Sequence, residues 1–287
     1  MTAHPRMSLN QATIKHADLH EAVKITVAEG IPSIGLWREP VADVGLATAS
    51  EVIKDSGLRV SSLCRGGFFT AEDPNQLRAS IEDNRRAIDE AAVLAQAGAP
   101  GSAAVLVVVP GGLPQGSTDI AGARGRMRDA VAVLADDAAA AGVVLAIEPM
   151  HPIYAADRGV ISTLGQALDI AEDFPAHDVG VVVDAFHVWW DPELLPQVAR
   201  AGARGRIASY QVNDWITPLP ADALLARGVM GDGHIDLPGL TAAVCGAGYR
   251  GDVEVEVFNK TLWDMPFADS AALVADRFSV IQLPHAR

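Results

Sequence analysis

Val143-Val144-Leu145-Ala146-Ile147-Glu148-Pro149-Met150-His151 and Val179-Gly180-Val181-Val182-Val183-Asp184-Ala185-Phe186-His187 share one form. Each is an apolar run closed by a carboxylate, with a histidine following three residues later. An apolar run without polar alternation reads as a strand covered on both faces, as in a parallel sheet. Six further β-rich runs lie along the chain: Met7–Ile14, Ser33–Trp37, Arg59–Cys64, Ala103–Val109, Ile207–Val212 and Val253–Phe258.

Between these runs the apolar period becomes helical. Leu19, Ala22, Val23, Thr26 and Val27 fall on one helix face ahead of Gly30, and Leu77, Ile81, Ile88, Ala91, Ala92 and Ala95 do so ahead of Gly98. Asp129 to Ala141, Leu164 to Glu172 and Leu237 to Cys245 continue the pattern. Eight strand–helix repeats predict an α/β fold, a single (β/α)8 TIM barrel over residues 1–287. The rival is a doubly wound open sheet, but no G-x-G-x-x-G follows the first strand. No linker, charge block or low-complexity stretch marks a domain boundary. The loops richest in Gly and Pro, Pro110–Ser117 and Thr217–Gly233, follow strands four and seven, on the face where this fold builds active sites.

Charge and composition exclude several classes. The chain has 22 basic and 36 acidic residues, a formal net charge of −14. Such a surface repels phosphate backbones and anionic lipid, so neither nucleic acid nor a membrane is expected as a partner. The two cysteines, Cys64 and Cys245, cannot build a disulfide framework and suit a reducing compartment. The N-terminus lacks a signal-peptide pattern, and the strongest apolar run, Ala103 to Val109, is too short to span a bilayer. A cytoplasmic protein is expected.

Carboxylates and amides at strand ends carry the chemistry. Glu148 closes strand five, Asp184 closes strand six, Gln211 lies near the end of strand seven, and Glu254 and Glu256 share one face of strand eight. Crowded carboxylates in a partly dry site repel one another unless a cation is present. Glu148, Asp184, Gln211 and Glu256, the last chosen over Glu254 because it lies nearer the rim, form an all-oxygen set for one divalent ion. Mn2+ suits it best, with Mg2+ and Co2+ as alternatives. Such an ion, with a carboxylate over the substrate carbon, is what proton abstraction next to a carbonyl requires.

Aromatic placement supports a sugar-like ligand. Trp37, Trp189, Trp190, Trp215 and Trp263 all lie at or just beyond C-terminal strand ends, and Phe68 and Phe69 follow strand three. Apolar faces of sugars pack on such rings. Trp37, Trp215 and Phe68 are the expected substrate contacts among them. His151 is a candidate acid/base group. Arg38 and Arg65 follow strands two and three within reach of the pocket, with surface ion pairing the preferred reading for each; His234 is a Gly-loop residue of open role, and His4, His16, His20, His177 and His285 carry no signal.

The Glu-Pro of strand five, the Asp-x-x-His of strand six, Asn213-Asp214 and Gly231-Asp232-Gly233-His234-Ile235-Asp236 together resemble the xylose-isomerase-like TIM-barrel superfamily. So does Gly248-Tyr249-Arg250-Gly251 running into strand eight. The resemblance covers nearly the whole chain. It implies metal binding by Glu148, Asp184, the strand-seven position and Glu256, with Glu148 and Glu256 as acid/base groups on opposite faces of a substrate carbon. It also implies that His187 and Arg227 hold substrate oxygens. One position departs from the pattern: strand seven usually supplies His, and here the matching residue is Gln211.

The expected activity is a divalent-metal-dependent isomerase or epimerase of a keto-sugar or cyclitol, acting through a metal-stabilised enediolate. The alternative is a C–C lyase resembling the catalytic α subunit of C-glycoside deglycosidases, which uses the same enolisation on 3-oxo-glycosides. The expected partners are a sugar or glycoside substrate and either further copies of this chain or a small second subunit. DNA repair of the endonuclease IV type is disfavoured by the few histidines at strand ends and by the charge. A non-catalytic sugar-binding barrel has no use for paired carboxylates around a metal.

Overall fold

In a computed structural model, which describes residues 5–281, the chain closes into a barrel of parallel strands. His4 and His285 lie outside the described residues. The barrel strands are β1 (Met7–Asn10), β2 (Ser33–Trp37), β3 (Arg59–Gly67), β4 (Val105–Val109), β5 (Val144–Ile147), β6 (Val179–Asp184), β7 (Ile207–Val212) and β10 (Val253–Val255). Neighbours pair in sequence order, and β1 closes the ring on β10. Two short segments, β8 (Asp214–Trp215) and β9 (Arg227–Gly228), form a separate antiparallel hairpin above the barrel.

Helices fill the connections: α1 (Leu19–Ala28), α2 (Arg38–Val44), α3 (Leu46–Ser56), α4 (Pro74–Ala97), α5 (Ile120–Ala141), α6 (Leu164–Ala171), α7 (Ala185–Val188), α8 (Leu194–Ala203), α9 (Leu237–Gly246), α10 (Lys260–Asp264) and α11 (Phe267–Ile281). Local chemistry sets their starts. Asp18, Asp73, Asp119, Thr163 and Asp236 each accept a backbone N–H in the first turn of α1, α4, α5, α6 and α9. No helix among the described residues is long and apolar enough to cross a membrane.

Strand ends differ from the sequence reading for identifiable reasons. The first run, Met7–Ile14, is strand only to Asn10, because the Asn10 side chain accepts from Ala12 N at 2.8 Å and starts a 3-10 turn over Gln11–Ile14. The last run, Val253–Phe258, leaves the ladder after Val255, and Val257 N donates to Thr13 Oγ1 at 3.0 Å. Strand three instead runs on to Gly67, where Asn84 Oδ1 accepts Gly67 N at 2.7 Å.

Strand alternation separates two environments. Leu145, Ile147, Val181, Val183, Val253 and Val255 join the large apolar layer beneath the helices. Cys64, Val105, Val107, Ala146 and Val182 pack in a second cluster inside the barrel. Full burial of a Val or Leu contributes about 1.5–3 kcal/mol, and this shell offsets the cost of the charges held at its upper rim. The opposite side of the interior is polar: Ser8, Asn10, Ser61, Ser62, Gln211 and Glu254 are all buried.

Candidate active site

The polar side of the interior converges on Glu254. Its Oε1 accepts from Asn10 Nδ2 at 2.6 Å and from Gln211 Nε2 at 3.1 Å, and its Oε2 accepts from the hydroxyls of Ser61 and Ser62 at 2.5 and 2.9 Å. Four neutral donors stand in for water around one carboxylate. Gly35 makes room for it, since a Cβ there would meet Glu254 Cδ at 2.6 Å. Glu254 is thus the floor of the site. Its hydroxyl and amide partners lie on three different strands, β1, β3 and β7, so strand reading alone could not collect them.

One level higher stand Glu148, Asp184 and Glu256, all buried. Ligand atoms of Glu148, Asp184 and His187 lie within 4.8 Å of one another. Arg227 crosses the group: its Nη1 donates to Asp184 Oδ2 at 2.8 Å and to Glu256 Oε2 at 2.7 Å. Its Nη2 lies 3.0 Å from His187 Nε2. Asn213 Nδ2 donates to Asp184 Oδ1 at 3.0 Å and to the Glu256 carbonyl at 3.1 Å.

Proton affinities follow from burial and crowding. Burial, with Glu256 and Asp184 beside it, holds the Glu148 carboxyl well above the usual range. Burial pushes Glu256 up to about 8, even though Arg227 opposes the rise. Burial works against the Arg227 charge, but Asp184, Glu256 and Glu148 outweigh it and raise its pKa. His187 is driven down to about 3 by burial, which keeps its ring neutral at ordinary pH.

A cavity of about 400 Å³ opens above this cluster. Glu148, Glu256, His187, Arg227, Trp37 and Phe68 all line it, together with Phe258 and Met150. A second cavity of about 440 Å³ adjoins it and shares Lys15, Trp37, Arg65 and Phe258.

Two of the expected site residues, Trp215 and His151, do not line the cavity, and a third, Gln211, is shared with the floor. Trp215 is buried in an aromatic layer, with ring centroids 4.7 Å from both Phe186 and His151. His151 stacks there and on Trp190, its Nδ1 accepts Ile153 N at 3.2 Å, and its backbone N–H donates to His187 Nδ1. Gln211 spends its amide on Glu254. Arg38 is fully ion-paired, to Asp83 at 2.8 Å and Glu90 at 2.6 Å, as expected. Arg65 pairs at the surface with Glu39 at a loose 3.8 Å and also reaches the pocket, lining both cavities. The extension of β3 past Cys64 carries it to the mouth.

Asp214 is a residue the sequence reading did not single out for a role. Its Oδ1 accepts from Trp215 N and Ile235 N at 2.8 and 3.0 Å, and its Oδ2 from Gly231 N and Gly233 N at 3.0 and 2.9 Å. The segment so gathered follows directly on β9, where Arg227 pairs with Trp215 in register. Gly233 has no room for a side chain, because a Cβ would sit 2.2 Å from Trp215 O. The Gly-rich segment therefore folds around one carboxylate and delivers Arg227 to the cluster.

The donors fit a divalent cation. Gln211 Oε1 and Asn213 Oδ1 are buried without a hydrogen-bond partner, and one arginine faces three buried carboxylates. The oxygens suit a hard ion, and the His187 nitrogen beside them widens the choice to zinc.

Comparison with known proteins agrees with this architecture. Protein SMc04130 from Sinorhizobium meliloti 1021 is 45% identical and superposes with a TM-score of 0.91 over 96% of this chain and 98% of its own. The IOLI protein, solved with a bound zinc atom, is 21% identical, with a TM-score of 0.79 over 96% of each chain. D-psicose 3-epimerase from Clostridium cellulolyticum H10, solved with D-tagatose, is 14% identical, with a TM-score of 0.73 over 96% of this chain and 99% of its own. The latter two share the fold. No curated protein sequence matches. The model of the xylose isomerase-like TIM barrel family matches residues 21–278, and the chain belongs to that family.

Proposed function

We propose that this protein is a divalent-metal-dependent isomerase or epimerase of a hydroxy-carbonyl compound of the sugar or cyclitol class. The carrying observation is that Glu148 and Glu256, from strands on different sides of the barrel, line one cavity and are both held above the ordinary carboxyl range by burial. A carboxylate so raised is a usable base and acid near neutral pH. Placed on two sides of a substrate carbon, the pair removes a proton from one face and returns it to the other. His187 and Arg227 bind the substrate oxygens, and Trp37 and Phe68 pack on its apolar faces.

Glu148, Asp184, Glu256 and the unpartnered Gln211 Oε1 would hold the ion, with His187 alongside. Mn2+ is favoured by the oxygen set. When bound, the ion supplies positive charge for the substrate oxygens as the proton leaves. Glu254 and its donors keep the floor rigid, and Asn213 orients Asp184. The family's zinc-bearing and epimerase neighbours support this reading.

A second reading, C–C cleavage of a 3-oxo-glycoside by the same enolisation, draws on the adjoining cavity beyond Trp37, which offers space for an aglycone. Metal analysis and a screen of keto-sugars and oxidised glycosides in D2O test both. Deuterium uptake that depends on the metal is expected. Its absence for every compound overturns the first reading, and release of an aromatic aglycone selects the second.

A further inference from the structure

The charges around the main cavity are unevenly committed. Lys15, Arg65, Arg158 and Arg227 all line it, although the chain as a whole carries −14. Arg227 is used on Asp184 and Glu256, and Arg158 lies 3.2 Å from the Asp157 carboxylate, another lining residue. Lys15 and Arg65 remain. Among the described residues Lys15 makes no ion pair within 4.0 Å; its ammonium sits over the rings of Phe258 and Trp263 at 5.6 and 5.1 Å. Arg65 rests over Phe68 at 4.8 Å and Trp37 at 5.8 Å, with only the loose contact to exposed Glu39.

Trp37 and Phe258, 5.6 Å apart, stand between these two cations and form one aromatic wall. Ring faces hold cationic side chains in place without neutralising them, so both charges stay available to a ligand. The adjoining cavity also contains Lys15 and Arg65, but there Asp18, Glu39 and Asp43 oppose them. In the main cavity the carboxylates of Asp157 and Glu256 are taken up by Arg158 and Arg227, so an anion is best placed there, beside Lys15 and Arg65. By contrast Arg38, nearby in sequence, is closed off by two carboxylates.

We propose that the substrate is an anion: a hydroxy-carbonyl compound bearing a carboxylate or phosphate, with that group held between Lys15 and Arg65. The identity of the reacting end rests on the enolisation reading above; the anion clamp rests on the charges alone. A local positive end also draws such a ligand in against the net field of the chain.

Calorimetric titration with D-gluconate, D-glucitol 6-phosphate and neutral D-glucitol tests the clamp. At least one anion is expected to bind ten-fold or more tightly than glucitol, and which one does separates carboxylate from phosphate. Raising NaCl from about 50 to 500 mM should shrink the difference. A Lys15→Met, Arg65→Met double variant should bring the anion down to the glucitol affinity, and Lys15→Glu alone should lower it further than Lys15→Met. Equal affinities in the wild type, no measurable anion binding, or discrimination that survives in a double variant with wild-type melting each overturn the proposal. Anion binding without deuterium uptake from any keto compound removes the enolisation reading and leaves the clamp. Uptake confined to neutral keto-sugars does the reverse.

Discussion

Gln211 donates its side-chain amide to Glu254 across neighbouring strands at 3.1 Å, and its carbonyl oxygen is left buried without a partner. The same side chain thus completes the floor of the barrel and turns an unused acceptor inward. Replacement by Leu takes one donor from Glu254 and should cost about 1–3 kcal/mol. The urea midpoint measures this cost. Under the metal proposal the same variant also binds Mn2+ more weakly; unchanged affinity would remove Gln211 from the ligand set.

Gly35 and Glu254 are linked by contact distance. A methyl group at Gly35 meets the carboxylate carbon at 2.6 Å, so Gly35→Ala must displace a buried group with four hydrogen bonds. Overpacking of this kind costs about 1–3 kcal/mol. A thermal melt within one degree of wild type would contradict the geometry described.

Glu148 should destabilise the metal-free protein at neutral pH. Its folded-state pKa is raised, so the folded protein holds the proton more tightly than the unfolded chain. The associated stability is present below the ordinary carboxyl pKa, near 4.5, and is lost as pH rises through the higher folded value. Glu148→Gln removes that loss: its Tm at pH 8 should exceed that of metal-free wild type by a few degrees, with the gap closing near pH 4.5. Deuterium uptake should vanish in the same variant. A lower Tm at both pH values would count against the crowding described.

His151 and His187 act in the opposite direction. Burial lowers His151 to about 4 and His187 to about 3, below the ordinary imidazole value of 6.5. The unfolded chain therefore binds protons first, and the stability these rings contribute is present above about pH 6.5 and lost as pH falls toward 4 and 3. His151→Phe, which keeps a ring against Trp215 and Trp190, should lose less stability than wild type between pH 7 and 4. Parallel melting curves for the two proteins across that range would refute this.

Asp214 governs Arg227 through the loop it gathers. Asp214→Ala frees four backbone N–H groups and should cost about 2–4 kcal/mol, near the range for a broken buried network. Because the segment that follows β9 is then loosened, deuterium uptake should fall at least ten-fold. Asp214→Asn keeps acceptor oxygen on one side only and should lie between the two. Wild-type uptake in a destabilised Asp214→Ala protein would separate the loop from the chemistry.

The barrel was legible along the chain because burial on both faces leaves a local mark. Val144–Ile147 and Val179–Asp184 are apolar without alternation, and the residue that ends each run is the one carried to the rim. Glu148 and Asp184 were picked by that rule, Glu256 by lying nearer the rim than Glu254, and Trp37 and Phe68, which line the cavity, as aromatics at or just after strand ends. Tertiary structure alone decided the partners. Position along the strand put Glu256 nearer the rim than Glu254, but nothing local shows that four donors from other strands hold Glu254 as a floor while Glu256 meets Arg227 from a returning hairpin. Trp215 and Trp37 both lie at or just beyond C-terminal strand ends, yet one is packed into an aromatic layer and the other walls the cavity. The physical reason is range: strand periodicity is set by each residue's immediate neighbours, whereas hydrogen bonds and ion pairs across a barrel join residues as far apart as Asn10 and Glu254 and exist only once the ring has closed.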